Sequence, residues 1–219
     1  MFRGQCLTGD FYSSKKINGP KTGCHRVDSD AFFLYSVKQF YQPQFINMLQ
    51  TMAERQPATE IVITPANLLE HWQGHRRLTR KLIEAFPEKE LFSYSIGGMR
   101  PFSGLVFEML DMAVPGLLGI ITGQWQTIDQ MVHISGKPVA QTKESLLNQW
   151  DETTEKMNAL WPQIPEGRFR EEDIAFGQYP GTIYSFILYF IDNEIHHRGQ
   201  AYVYLRSLGI EPPAFWDRQ

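Results

Sequence analysis

The sequence predicts an all-α fold, a four-helix bundle carrying a loosely ordered N-terminal extension, on three observations. Apolar residues recur three and four apart through four long segments, the spacing that places them on one helical face. Capping residues and prolines or glycines bound those segments where helices should begin and end. No stretch reads as an alternating strand, and no repeat of about 20 to 50 residues is visible. With 219 residues, 42% of them hydrophobic, the chain can bury a core without disulfide staples.

Residues 1–30 mix Gly, Ser, Lys, Thr and Asn with few apolar positions and show no period, so they are expected to form a poorly ordered arm outside the core, or to lie upstream of a start at Met48 or Met52. The bundle domain is expected over residues 31–219. Across 31–55, Phe33, Val37, Phe40, Ile46, Leu49 and Ala53 keep roughly helical spacing, with Pro43 bending or breaking the helix. The next helix has Thr64 as N-cap, Pro65 at its first position and a stripe of Leu68, Trp72, Thr79, Leu82, Ile83 and Phe86, ending near Pro87. Pro101 can start a third helix, unusually apolar from Leu105 to Ile121, in which Pro115 and Gly116 predict a kink or short break. Thr142 caps a fourth, with Leu146, Leu147, Trp150, Met157, Leu160 and Trp161 on one face. Prolines and glycines from Pro162 to Gly181 predict an irregular linker. Thr182 then caps a last helix reaching about Leu208, where Gly209 suits the left-handed position and Pro212 and Pro213 forbid continuation.

Charge and composition narrow the function classes. The 21 Lys and Arg against 24 Asp and Glu leave a net charge of -3 and no basic stripe, which disfavours nucleic acid as a partner. No stretch approaches the roughly 18 to 20 apolar residues needed to cross a bilayer, so no membrane partner is expected. The two cysteines, Cys6 and Cys24, make no disulfide framework, and a cytoplasmic protein is the expectation. No serine-hydrolase elbow, phosphate-binding loop or dinucleotide fingerprint occurs.

Polar residues set into apolar helices are the candidates for chemistry. The run Asp192 to Gln200 interrupts the last helix. At about 100° per residue, Asn193, His197, Gln200 and Tyr204 share one side with Phe186 and point inward, with His196 toward a neighbouring edge. His197 with Asn193 four residues earlier could meet one ion, or the histidine could be a buried one satisfied by hydrogen bonds. Glu108 sits within Leu105 to Leu110 and, if inward, needs a cation, a donor or a proton; otherwise it reaches water at an edge. His71 and His75 form a second pair, with His75 near the middle of the apolar stripe and His71 at its edge. A core histidine and a surface one are the expectation there. His133 lies in a loop with no companion.

The string Asn193-Glu194-Ile195-His196-His197-Arg198-Gly199-Gln200, followed by Tyr204-Leu205-Arg206, Leu208-Gly209-Ile210 and Pro212-Pro213, resembles the closing helix of the DinB-like family of bacterial proteins. The loop Gly98-Met99-Arg100-Pro101-Phe102 is also similar, and the likeness spans about residues 60 to 213. This family is distinct from the lesion-bypass DNA polymerase that shares the name. The resemblance implies a four-helix bundle, often a homodimer, with three histidines holding a divalent ion such as Zn, Ni or Mn in an open pocket that takes a small-molecule substrate. It further implies a thiol-dependent transferase or isomerase chemistry, in which the metal activates a low-molecular-weight thiol. The family's ligand positions fall on Glu108, Asn193 and His197, of which only His197 keeps an imidazole. His75, His196 and Gln200 are further candidates for the pocket. Two readings follow: an altered metal site with oxygen donors, or a non-catalytic bundle whose polar trio closes on itself by hydrogen bonds, acting by dimerisation or small-molecule binding.

Overall fold

The computed structural model describes residues 61–135 and 140–219. The N-terminal arm, the helix expected across 31–55 and the connection at Gly136 to Pro138 lie outside the described residues. Helix α1 spans Pro65–Ala85, a short α2 Glu88–Ser93, α3 Phe102–Thr122, a one-turn α4 Val132–Ser135, α5 Lys143–Leu160 and α6 Ile183–Ser207. The four long helices pack in a ring, α1 on α6, α6 on α3, α3 on α5 and α5 on α1.

The end signals act through identifiable bonds. Thr64 and Asn67 close a reciprocal capping box at the start of α1, and Thr142 and Ser145 do the same for α5. Gly209, at φ 75°, terminates α6 as expected. Thr182 holds the N-cap position of α6, yet its side chain makes no capping bond.

Two features differ from expectation. Of the predicted kink or short break at Pro115, the break does not occur: α3 runs continuously from Phe102 to Thr122 with Pro115 inside it. Gly116 serves close packing instead, since a Cβ there would come within 2.6 Å of the Phe190 ring. That helix is also long and apolar enough to cross a membrane, contrary to the reading of the apolar runs, and it is mostly buried inside the bundle. The second difference is a small hairpin where an irregular linker was expected. Strands β1, Glu172–Ala175, and β2, Tyr179–Thr182, pair antiparallel with Glu172 opposite Thr182 and Ala175 opposite Tyr179. At four residues each, and with Pro180 and Gly181 in the second, they show no readable alternation. The turn puts Phe176 at φ 53°, an unfavourable conformation for an aromatic residue. Its ring is buried against Trp125 and Phe190, at centroid distances of 5.4 and 6.0 Å, which holds it there.

The core divides into two apolar clusters. One gathers Trp72, Leu117, Ile120, Met157, Ile187 and Phe190; the other gathers Leu82, Phe86, Phe102, Leu146, Trp150 and Tyr204. Helices α1 and α6 pass from the first to the second, α3 and α5 from the second to the first. Between the clusters every long helix contributes polar side chains at the same level: His75, Arg76 and Thr79, then Glu108 and Asp111, then Thr153, then Asn193, Glu194, His197 and Arg198. Burying them is costly unless each finds a partner, so this layer concentrates the chemistry of the fold.

Candidate functional site

Two adjacent polar rows on α6 face two different helices. Asn193 and His197, four apart, turn toward Glu108 on α3. Glu194 and Arg198, about 100° further round, turn toward α1. The expected trio therefore meets: Asn193 Nδ2 donates to Glu108 Oε1 at 2.9 Å, and His197 Nε2 lies 3.0 Å from the same oxygen and 3.2 Å from the Asn193 amide nitrogen. An imidazole proton on Nε2 serves Glu108. Asn193 Oδ1 is buried and has no hydrogen-bond partner.

Arg100, in the loop preceding α3, places Nη2 on Glu108 Oε2. The loop is pinned from α6, where Tyr204 Oη donates to the Arg100 carbonyl at 2.9 Å. Burial favours the neutral acid at Glu108, but hydrogen bonds from His197, Arg100 and Asn193 outweigh it and hold the carboxyl well below its usual range.

His133 has a companion after all. Asp111, one turn along α3 from Glu108, is almost fully buried and accepts the backbone N–H groups of Val132 and His133, both at 3.0 Å, capping α4. It also lies 2.6 Å from His133 Nδ1. The other ring nitrogen, Nε2, lies on the Glu108 side, 4.0 Å from Oε2. No spacing rule could have revealed this pair, because the partners lie in separate elements 22 residues apart.

Glu108 and His133 line a cavity of about 400 Å³. Its walls are apolar, chiefly Met112, Phe176, Phe186, Tyr189 and Phe190. Neither Asn193 nor His197 reaches the lining, and the other pocket candidates lie elsewhere. Gln200 sits 3.5 Å from His197 Nδ1 and 3.0 Å from Nε2 of the exposed His196. His75 is buried on the α1 side of α6, too far round the helix to supply an imidazole to Glu108: its Nδ1 lies 2.7 Å from Arg198, and its Nε2 lies 3.3 Å from Arg218 and 3.2 Å from the exposed His71.

Burial, reinforced by the guanidinium groups of Arg198 and Arg218 and by His71, lowers the His75 pKa to about 3. The folded ring stays neutral where an unfolded histidine, with a pKa of about 6.5, takes a proton. Stability from this difference is complete above about pH 6.5 and is lost as the pH falls toward 3. Thermal melts are therefore expected to show Tm falling between pH 7 and pH 5, with a shallower fall in His75→Gln, which keeps an acceptor for Arg198. Equal slopes in the two proteins would remove His75 as the cause.

The three-imidazole centre that the resemblance implies can be tested against these donors. Oε1 of Glu108 accepts from Asn193 and faces His197, while Oε2 holds the Arg100 guanidinium, so the position of a bound cation beside the carboxylate is already taken by one from the chain. Among the described residues, no three His, Cys, Asp or Glu side chains are grouped to hold a metal ion. The residues as arranged do not fit a resident divalent ion.

Comparison with known proteins agrees with the fold. A DinB-like protein from Bacillus subtilis superposes with a TM-score of 0.55 at 21% identity, over 69% of this chain and 99% of that one. A DinB-like protein from Bacillus cereus gives a TM-score of 0.55 at 16% identity, over 69% and 97%. No curated protein matches the chain. The profile of the DinB family matches residues 48–218, which takes in the whole described bundle, the Arg100 loop and the polar rows of α6: the chain belongs to the DinB family.

Proposed function

We propose that this chain is a small-molecule binding member of the family, a cytoplasmic homodimer whose cavity between α3, α4, the hairpin and α6 works without a resident metal. One observation carries the reading: Glu108 borders the cavity as a carboxylate whose charge is met by Arg100 and whose inner oxygen is engaged by Asn193 and His197. A divalent ion would have to displace the guanidinium and the His197 proton. The apolar aromatic walls and few polar groups match the usual make-up of a ligand pocket.

The test is metal titration of protein purified without affinity metals. Calorimetry with Zn²⁺, Ni²⁺ and Mn²⁺, with elemental analysis beforehand, is expected to show no stoichiometric uptake. Uptake of one ion per chain at micromolar affinity or tighter, lost in His197→Ala with helical content retained, would overturn the reading. It would favour instead the altered metal site, with Glu108, Asn193 and His197 as ligands, and with it the reading of a metal-dependent transferase that uses a small thiol. The partnerless Asn193 Oδ1 is the one observation that favours this alternative.

A further inference from the structure

We propose that the surface over His75, where the C-terminal tail meets α1, is a site for a phosphate-type oxyanion, bound by His75 Nε2–H and the Arg218 guanidinium. It lies on the α1 side of α6, away from the cavity, and stands independently of the small-molecule reading.

The proton on the His75 ring decides what the site can hold. Both ring nitrogens face a guanidinium, Nδ1 that of Arg198 at 2.7 Å and Nε2 that of Arg218 at 3.3 Å, and a guanidinium only donates. A neutral imidazole has one lone pair to give, so one of the two contacts sets donor against donor. The shorter contact is the hydrogen bond. Arg198 is buried, and its Nη1 donates to the His75 carbonyl and to Thr79 Oγ1, which fixes it in place. Nδ1 is therefore the acceptor and Nε2 carries the proton. A second proton on the ring would leave Nε2–H as it is, so the outward face donates in either state. The same proton argues against a metal ion on the His71 and His75 pair, although their Nε2 atoms stand only 3.2 Å apart, because a ligand nitrogen needs its lone pair free.

This N–H faces a weak acceptor and an unpaired cation. Nε2 of the exposed His71 takes its proton at 3.2 Å. A charged acceptor makes a hydrogen bond about twice as strong as a neutral one, so an oxyanion displaces that ring into water. A proton on His71 would add a donor, not remove one. Nearby cations already have carboxylates, Arg77 that of Glu70 and Lys81 that of Asp217, both at 2.8 Å. Among the described residues the Arg218 guanidinium meets only the imidazole. Its position is set by other bonds: the Arg218 carbonyl accepts from Arg77 Nε at 2.6 Å, and its stem lies over Gly74. After burial, the guanidinium groups of Arg198 and Arg218 are the main causes of the lowered His75 pKa, which marks uncompensated positive charge at this point.

The experiment is calorimetric titration of the full chain with inorganic phosphate, at pH 7 and constant low ionic strength. A Kd of about 1 mM or tighter is expected. Arg218→Gln is expected to weaken binding at least about tenfold, whereas Arg170→Gln, an equal loss of charge at the exposed turn before β1, changes it less than about twofold. In ¹H–¹⁵N spectra of the imidazoles, phosphate is expected to move the His75 Nε2–H signal in the wild-type protein and not in Arg218→Gln. Phenyl phosphate is the second probe. Binding of both compounds assigns the site to a terminal phosphate on a larger molecule, and binding of inorganic phosphate alone assigns it to the free ion; either supports the oxyanion site. No phosphate binding, equal losses in the two arginine variants, or a His75 signal that stays in place while phosphate binds would each overturn it.

Discussion

Glu194→Ala is expected to destabilise the fold by about 3 to 5 kcal/mol, the usual cost of removing one partner from a buried charged network. Glu194 is fully buried on the α1 side of α6, where Trp72 Nε1 donates to Oε2 at 3.2 Å and Thr79 Oγ1 donates to Oε1 at 2.6 Å. Arg198 Nη1 stands 4.0 Å from it, and the Arg76 guanidinium is close enough to favour its ionised form. Arg76 is itself buried, stacked 3.8 Å over the Trp150 ring and bonded to Thr154 and the Trp150 carbonyl, and burial lowers its pKa to about 10. Truncation at 194 leaves the indole N–H unpaired and two buried guanidinium groups without their carboxyl. Burial raises the Glu194 pKa, so Glu194→Gln, which preserves an acceptor for Trp72, is expected to cost less than half as much. Denaturant unfolding of both variants measures the difference; a Glu194→Ala loss below about 1 kcal/mol would show that the network does not hold the bundle together.

The two polar rows of α6 illustrate what the sequence reveals and what it hides. Helical projection correctly turned Asn193, His197 and Tyr204 inward, because periodicity is a property of one helix. It placed His75 in the core for the same reason. It could not tell that an inward residue on α1 meets Glu194 and Arg198 while one on α3 meets Asn193 and His197, since that depends on which helices are neighbours. The resemblance supplied the meeting of Glu108, Asn193 and His197, which no spacing within the chain states. Arg100 on Glu108 and Asp111 on His133 escaped both routes, because each contact is made between a helix and a loop or turn whose path has no period. The hairpin escaped because its turn is held by the burial of Phe176 against Trp125 and Phe190, a tertiary effect that overrides the local preference against positive φ.

Restoring imidazoles at both altered positions, in Glu108→His combined with Asn193→His, is expected to raise zinc affinity by about a hundredfold or more, roughly 2.7 kcal/mol. The geometry for this already exists. Positions 193 and 197 are one helical turn apart on α6, and the side chains at 108, 193 and 197 approach within 2.9 to 3.2 Å in the native protein. Three imidazoles with one open position are a common zinc environment, whereas a neutral amide is a poor donor to that ion. Two terms oppose the gain. The double substitution removes the carboxylate that Arg100 pairs with, and the freed guanidinium repels a divalent ion. Because the Arg100 side chain is 45% exposed, it can swing into water, where screening leaves about 1 kcal/mol or less of that repulsion. Calorimetric titration of the double variant against the native protein checks the outcome, with Arg100→Gln added to measure the residual repulsion. Zinc affinity unchanged by the double substitution would mean that side chains at these positions cannot turn their lone pairs to one point, and the correspondence with the family's ligand positions would fail with it.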